Sequence, residues 1–159
     1  MKKIFAVLAG LVCGLNISAA AGYDVVIVGG TPGGIMTAIS AAREGMDVVL
    51  LERTWHIGGL PANGLGATDI TTRGATTGLF LEFVQRNKQY YVDTYGADSR
   101  QVKDCSDGYH FEPSVAEKTF LAMLGEHRDR ITVLFGRQFD SNPANVSMKG
   151  GDIKSISVL

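Results

Sequence analysis

Apolar and polar residues fall in blocks along this chain, and the period changes from block to block. Val25-Val26-Ile27-Val28 is an unbroken apolar run, the mark of a strand buried on both faces of a parallel sheet, and it stops at Gly29. From Gly33 onward Ile35, Ala38, Ile39 and Ala42 recur at helical spacing, with Gly45 placed to end the helix. Val48-Val49-Leu50-Leu51 makes a second buried strand. Together they predict one βαβ unit of near-minimum length with a right-handed crossover. Further on, Leu79, Phe80, Phe83, Val84, Tyr90 and Tyr91 mark the core-facing stripe of a helix from Thr76 to Tyr95, capped by Gly96. Ala97 to Glu112 is polar and reads as a solvated loop. Pro113-Ser114 opens another helix, with Ser114 and Glu117 matching a capping box and Ala116, Phe120, Met123 and Leu124 facing inward. Ile131 to Phe135 reads as a third buried strand, parallel to the first two. Asn145 to Val158 predicts a hairpin turning at Gly150-Gly151, alternating in Val146 and Met148 and again in Ile156 and Val158. The last strand shows no polar or capping close.

The turn between the first strand and its helix carries the chemistry. The first N–H groups of a helix lack internal partners and the macrodipole places partial positive charge there, so a pyrophosphate fits. Gly29 allows the tight turn, Pro32 gives up an N–H that has no partner anyway, and Gly34 lets helix and sheet approach. Glu52 ends the second strand 18 residues after Gly34. A carboxylate there accepts from ribose hydroxyls and repels a 2′-phosphate, which argues against NADP. The middle glycine of the G-x-G-x-x-G pattern is replaced by Thr31, whose Cβ narrows the approach to a phosphate. Gly30 takes over that approach, and the Thr31 hydroxyl is available to a phosphate oxygen. Strand, turn, helix, strand and acid fall in register, so the expected fold class is α/β: a Rossmann-like parallel sheet with a βαβ dinucleotide-binding unit, plus a β-hairpin.

The 159 residues allow one domain at most. Lys2-Lys3, the apolar stretch from Ile4 and then Ser18-Ala19-Ala20-Ala21 follow the order of a secretory signal peptide over residues 1–21. The domain is then 22–159, exported by the general route to the periplasm or beyond, with no stable membrane anchor. Without the signal the formal charge moves from −1 to −3, which does not suggest a nucleic-acid partner. One cysteine remains, Cys105, read as a surface or half-buried residue in the polar loop. Thr54 to Ala75 is long for a connection and holds Gly58, Gly59, Gly64, Gly66 and Gly74, so backbone can approach a ligand there, with Asn63, Thr68 and Asp69 as polar contacts.

Read in sequence, VVIVGGTPGGI, VVLLER, IGGLPANGLGATD and FEPSVAEKTF resemble the FAD-dependent oxidoreductases of the glutathione-reductase-like flavoprotein group. The nearest likeness is to exported bacterial members often named with xanthan lyase. The resemblance spans Gly22 to Leu159 and implies that Gly29, Gly30, Thr31, Pro32, Gly33 and Gly34 surround the FAD pyrophosphate, while Glu52 binds the adenosine ribose and Arg53 lies beside the adenine. It further implies that Gly58 and Gly59 form a second phosphate-side segment, that Gly64 and Gly66 face the ribityl chain or flavin ring, and that backbone near Arg137 and Gln138 reaches the adenine. Members normally return late in the chain to complete the sheet and add a substrate domain, so an incomplete, N-terminal FAD-binding domain is expected. His56 reads as a packed or solvated residue rather than a base or a covalent flavin ligand.

Three functions follow. The first is an FAD-binding oxidoreductase, or its N-terminal part, acting on a small-molecule substrate that the family's company suggests is carbohydrate-related. The second is a truncated, catalytically inactive nucleotide-binding fragment. The third is an NAD-binding domain, which shares the turn and the acid. No catalytic residue stands out: Asp69 is the least poor candidate and reads better as a loop cap. Metal-loop spacing is absent, and the oligomeric state is not legible.

Overall fold

The structure is a computed structural model, and it describes residues 4–6 and 21–159. The expected signal peptide therefore lies almost wholly outside the described residues. Ile4–Ala6 (β1) pairs antiparallel with Ala21–Tyr23 (β2). Then come Val25–Val28 (β3), Pro32–Arg43 (α1), Val48–Glu52 (β4), the short Gly59–Ala62 (α2), Gly78–Tyr95 (α3), Arg100–Asp104 (α4) and Pro113–Gly125 (α5). Ile131–Phe135 (β5) and the pair Val146–Lys149 (β6) and Asp152–Ile156 (β7) complete the order.

β3, β4 and β5 form a parallel sheet in the order β3-β4-β5, with Val25 opposite Val48 and Val48 opposite Ile131. Because strand side chains alternate faces, Val48 and Leu50 join Ile27, Ile35, Ile39, Phe83, Phe120 and Met123 under the helices. Val49 and Leu51 face the other way and pack with Ile156 and Val158 of the C-terminal segment. The fold is thus three layers: helices, parallel sheet, antiparallel hairpin. β4 is buried along its whole length, as a central strand must be.

Several expectations need correction. Val25–Val28 is not buried on both faces: β3 is an edge of its sheet, and Val28 is 58 % exposed. The other edge, β5, buries only Ile131 fully. Ala97 to Glu112 is not a solvated loop. It contains α4 and a 3₁₀ turn at Ser106–Gly108, and it sends Cys105, Tyr109 and Phe111 into the core. Cys105 is accordingly 4 % exposed, with its Sγ 3.1 Å from the Val102 carbonyl. The apolar residues there are too widely spaced to show a period, and tertiary packing overrides the polar composition. Ser114 does not cap α5: the helix starts at Pro113 behind Glu112, and no side chain caps it. Finally, the hairpin is irregular: Ser147 pairs with Ser155 but Met148 with Ile153, so β7 carries one extra residue, Lys154, and Met148 is exposed rather than packed beside Val146.

One polar feature of the core has no counterpart in the sequence pattern. Asn87 is fully buried on the inner face of α3, where its Oδ1 accepts from Thr119 Oγ1 of α5 at 2.7 Å. Its Nδ2 donates to the Gly108 carbonyl at 3.4 Å, so one side chain ties two helices and the 3₁₀ turn.

Candidate functional site

β3 ends at Val28 and α1 begins at Pro32, and the three residues between them make a tight turn. Thr31 is the N-cap: its Oγ1 accepts from Gly34 N at 3.3 Å and its carbonyl accepts from Ile35 N at 2.9 Å. Pro32 occupies the first helical position, where a missing N–H costs nothing. Gly34 is required by close approach, since a Cβ there would lie 2.1 Å from the Gly29 carbonyl oxygen. Thr31 and Gly33 are exposed at the mouth of the turn, with the positive end of a twelve-residue helix behind them.

Glu52 closes β4 on the helix side of the sheet, the same parity as Val48 and Leu50, and this brings its carboxylate against the turn. Oε2 accepts from Gly30 N at 2.8 Å, while Oε1 accepts from Thr54 N and Thr54 Oγ1, both at 2.8 Å. Of about four lone-pair directions on a carboxylate, three are used, which leaves one on Oε2 for a further donor. Glu52 is only 8 % exposed. Burial pushes its pKa up, but the Thr54 and Gly30 hydrogen bonds together with Arg53 outweigh that and hold it below the ordinary carboxylate range. Arg53 itself is exposed beside it.

The second glycine segment packs directly on the first. Gly58 N donates to the Gly30 carbonyl at 2.7 Å, and a Cβ on Gly59 would lie 3.1 Å from Pro32 Cδ. Residues far apart in the chain are thereby fastened together. His56 is not free: Nδ1 lies 2.7 Å from Glu117 Oε1 and Nε2 lies 2.8 Å from the Ala62 carbonyl. Beyond this segment, Gly64 and Gly66 are exposed, and the Gly66 carbonyl accepts from Phe111 N at 2.9 Å. Asn63 donates to the Gly59 carbonyl and Thr68 to the Tyr109 carbonyl, so both fasten the loop, while Asp69 is exposed. At the exit of β5, Arg137 N donates to the Glu52 carbonyl at 2.9 Å. Gln138, exposed, exchanges backbone hydrogen bonds with Leu159 at 3.0 and 2.8 Å.

Trp55 is the residue at this site that periodicity does not single out. It is 84 % exposed three positions after Glu52, and its ring lies over Gly136, where a Cβ would come within 3.2 Å of it. The available signal was a lone tryptophan in a polar segment just past the acid. Among the described residues, no cluster of three or more His, Cys, Asp or Glu could hold a metal ion. Among the same residues, no helix is long and apolar enough to cross a membrane.

Over 36 residues, 23 % of this chain and 9 % of the relative, the chain is 50 % identical to digeranylgeranylglycerophospholipid reductase 2 of Methanococcoides burtonii. Its fold is similar to that of L-amino acid deaminase from Proteus vulgaris, with a TM-score of 0.52 and 14 % identity, covering 93 % of this chain and 48 % of that one. It is also similar to the THI4 protein of Thermovibrio ammonificans, with a TM-score of 0.46 and 23 % identity, covering 82 % of this chain and 44 % of that one. The chain thus spans less than half the length of these solved structures and a small part of the reductase. The family model for FAD dependent oxidoreductases matches residues 24–159, which takes in the glycine turn, Glu52 and the second glycine segment; the chain belongs to that family, and its cofactor is FAD.

Proposed function

We propose that the Gly29–Gly34 turn holds the FAD pyrophosphate, that the remaining acceptor position of Glu52 takes an adenosine ribose hydroxyl, and that the chain is the adenosine-holding part of an oxidoreductase. The observation that carries this is the 2.8 Å hydrogen bond from Gly30 N to Glu52 Oε2, because it puts a ribose acceptor and a diphosphate cradle within one nucleotide's reach. The residues present fit the group: a helix N-terminus for the diphosphate, a carboxylate with one acceptor position unused, and an exposed indole for a flat base. FAD, when bound, accepts electrons or a hydride from substrate. The protein's share is to orient it: Thr31 and Gly33 face the diphosphate, Arg53 and Trp55 lie on the adenine side, and Gly58 and Gly59 buttress the turn. The same reading takes Gly64 and Gly66 as the flavin side and Gln138 as adenine-side backbone.

The finer assignment is to the exported, glutathione-reductase-like type with a small, carbohydrate-related substrate, and it rests on the sequence motifs and the signal-like N-terminus. A second reading, a nucleotide-binding unit without turnover, draws on the exposed edge of β3, where Val28 meets solvent. Trp55 is the only tryptophan in the chain and supplies the test. FAD, ADP and NAD are titrated into the full chain while its emission is followed, and the visible spectrum is recorded after desalting. Quenching by FAD and ADP with two retained flavin bands is the expected result. A colourless protein with unchanged emission refutes the reading, and quenching by NAD in preference to FAD points to an NAD-binding domain.

A further inference from the structure

Glu117 has the spacing of a capping-box acid, yet it leaves its own helix uncapped and reaches across to the second glycine segment. Its Oε1 lies 2.7 Å from His56 Nδ1 and also accepts from Ile57 N at 3.4 Å. The other ring nitrogen of His56 lies 2.8 Å from the Ala62 carbonyl, so the imidazole closes a loop around Gly58 and Gly59. With a protein oxygen within 2.8 Å of each ring nitrogen, His56 is occupied by its own chain on both sides and turns neither nitrogen to a substrate or a flavin.

The enclosed backbone has little freedom. Gly58 and Gly59 have φ of +108° and +57°, and Ala62 and Phe120 fill the space a Gly58 Cβ would need, each at 2.8 Å. From there Gly58 N reaches the Gly30 carbonyl, and Gly59 abuts Pro32 and Thr31. A continuous path of contacts therefore runs from a carboxylate on α5 to the phosphate-side turn.

We infer that Glu117, acting through His56 and Ile57, is a positioning residue for the cofactor: it sets the backbone of residues 57–59 and through it the shape of the turn that binds the diphosphate. This rests on the reading that the turn takes FAD. Preorganised backbone raises affinity by lowering the cost of ordering on binding, so loss of the acceptor weakens FAD binding in protein that is still folded.

The test compares the full-length wild type with E117Q, which keeps an acceptor oxygen, and E117L, which does not. FAD affinity is read by equilibrium dialysis and the melting temperature is read without ligand. E117L is expected to bind FAD at least about tenfold more weakly in its folded fraction, with E117Q within about threefold of wild type. A merely structural carboxylate would lower the melting temperature and leave the affinity of the folded protein alone. Wild-type affinity in E117L, or equal loss in E117Q and E117L, overturns the inference. If E117L does not fold, H56L takes its place, and wild-type affinity there overturns the inference equally. A wild type that binds no FAD takes down the reading of the turn as well, whereas a wild type that binds it beside an unaffected E117L refutes this inference alone.

Discussion

Gly34→Ala adds a single methyl group, and the turn has no room for it. The added carbon would sit 2.1 Å from the Gly29 carbonyl oxygen, 3.3 Å from the Gly29 carbonyl carbon and 3.3 Å from Ile27 Cγ2. Side-chain carbons essentially never come within 3.0 Å of such atoms, so helix and strand must separate by most of an ångström. The obstacle is backbone and cannot rotate away as a flexible side chain would. Overpacking of this kind costs about 1–3 kcal/mol, and a rigid obstacle puts this case near 3 kcal/mol. For a chain of this size that lowers the melting temperature by about 10 °C. Gly33→Ala is the control, because its Cβ would meet nothing nearer than Thr31 Oγ1 at 4.0 Å. Exchanging glycine for alanine in open helical surroundings stabilises by about 0.5 kcal/mol. Thermal unfolding followed by circular dichroism should therefore move the two neighbours in opposite directions. Gly34→Ala melting within about 2 °C of wild type would refute the argument from close packing, and with it the geometry claimed for the turn.

Glu52→Gln places an amide NH₂ against a donor whichever way it turns, Gly30 N on one side or Thr54 N on the other, and should cost about 1–3 kcal/mol at neutral pH. Because the folded-state pKa of Glu52 is lowered, its stabilisation is full above the unfolded-state value of about 4.5 and fades as pH falls through the folded-state value. The gap in stability between wild type and variant should close on acidification, and a gap independent of pH would count against the assigned hydrogen bonds. Asn87→Ala strands the buried Thr119 hydroxyl and should cost about 2–3 kcal/mol in chemical denaturation, and a loss below about 0.5 kcal/mol would show the pair to be dispensable.

How much of the site can be read from sequence depends on how far apart the contributing residues lie. Thr31 as cap, Pro32 at the first helical position and Gly34 at the packing point are local consequences of one turn, and each stands where the glycine pattern puts it. The approach of Glu52 to Gly30 follows from strand parity within a single βαβ unit, which spans few enough residues for pattern to specify geometry. The pairing of Glu117 with His56 is different. Glu117 carries the spacing of a local cap, and only the packing of α5 across the loop after β4 decides that its carboxylate goes elsewhere.

By itself the sequence determined the strand–helix–strand order of the βαβ unit, the parallel sheet and the glycine turn, because each is written in short-range periodicity and in glycines placed where a side chain does not fit. Tertiary structure alone decided which strands became edges, and so exposed Val28. It also decided that Cys105, Tyr109 and Phe111 enter the core from a polar segment, and that the hairpin carries an extra residue at Lys154. Burial of those residues depends on surfaces contributed by distant parts of the chain, and no local pattern of apolar residues records where such surfaces will meet.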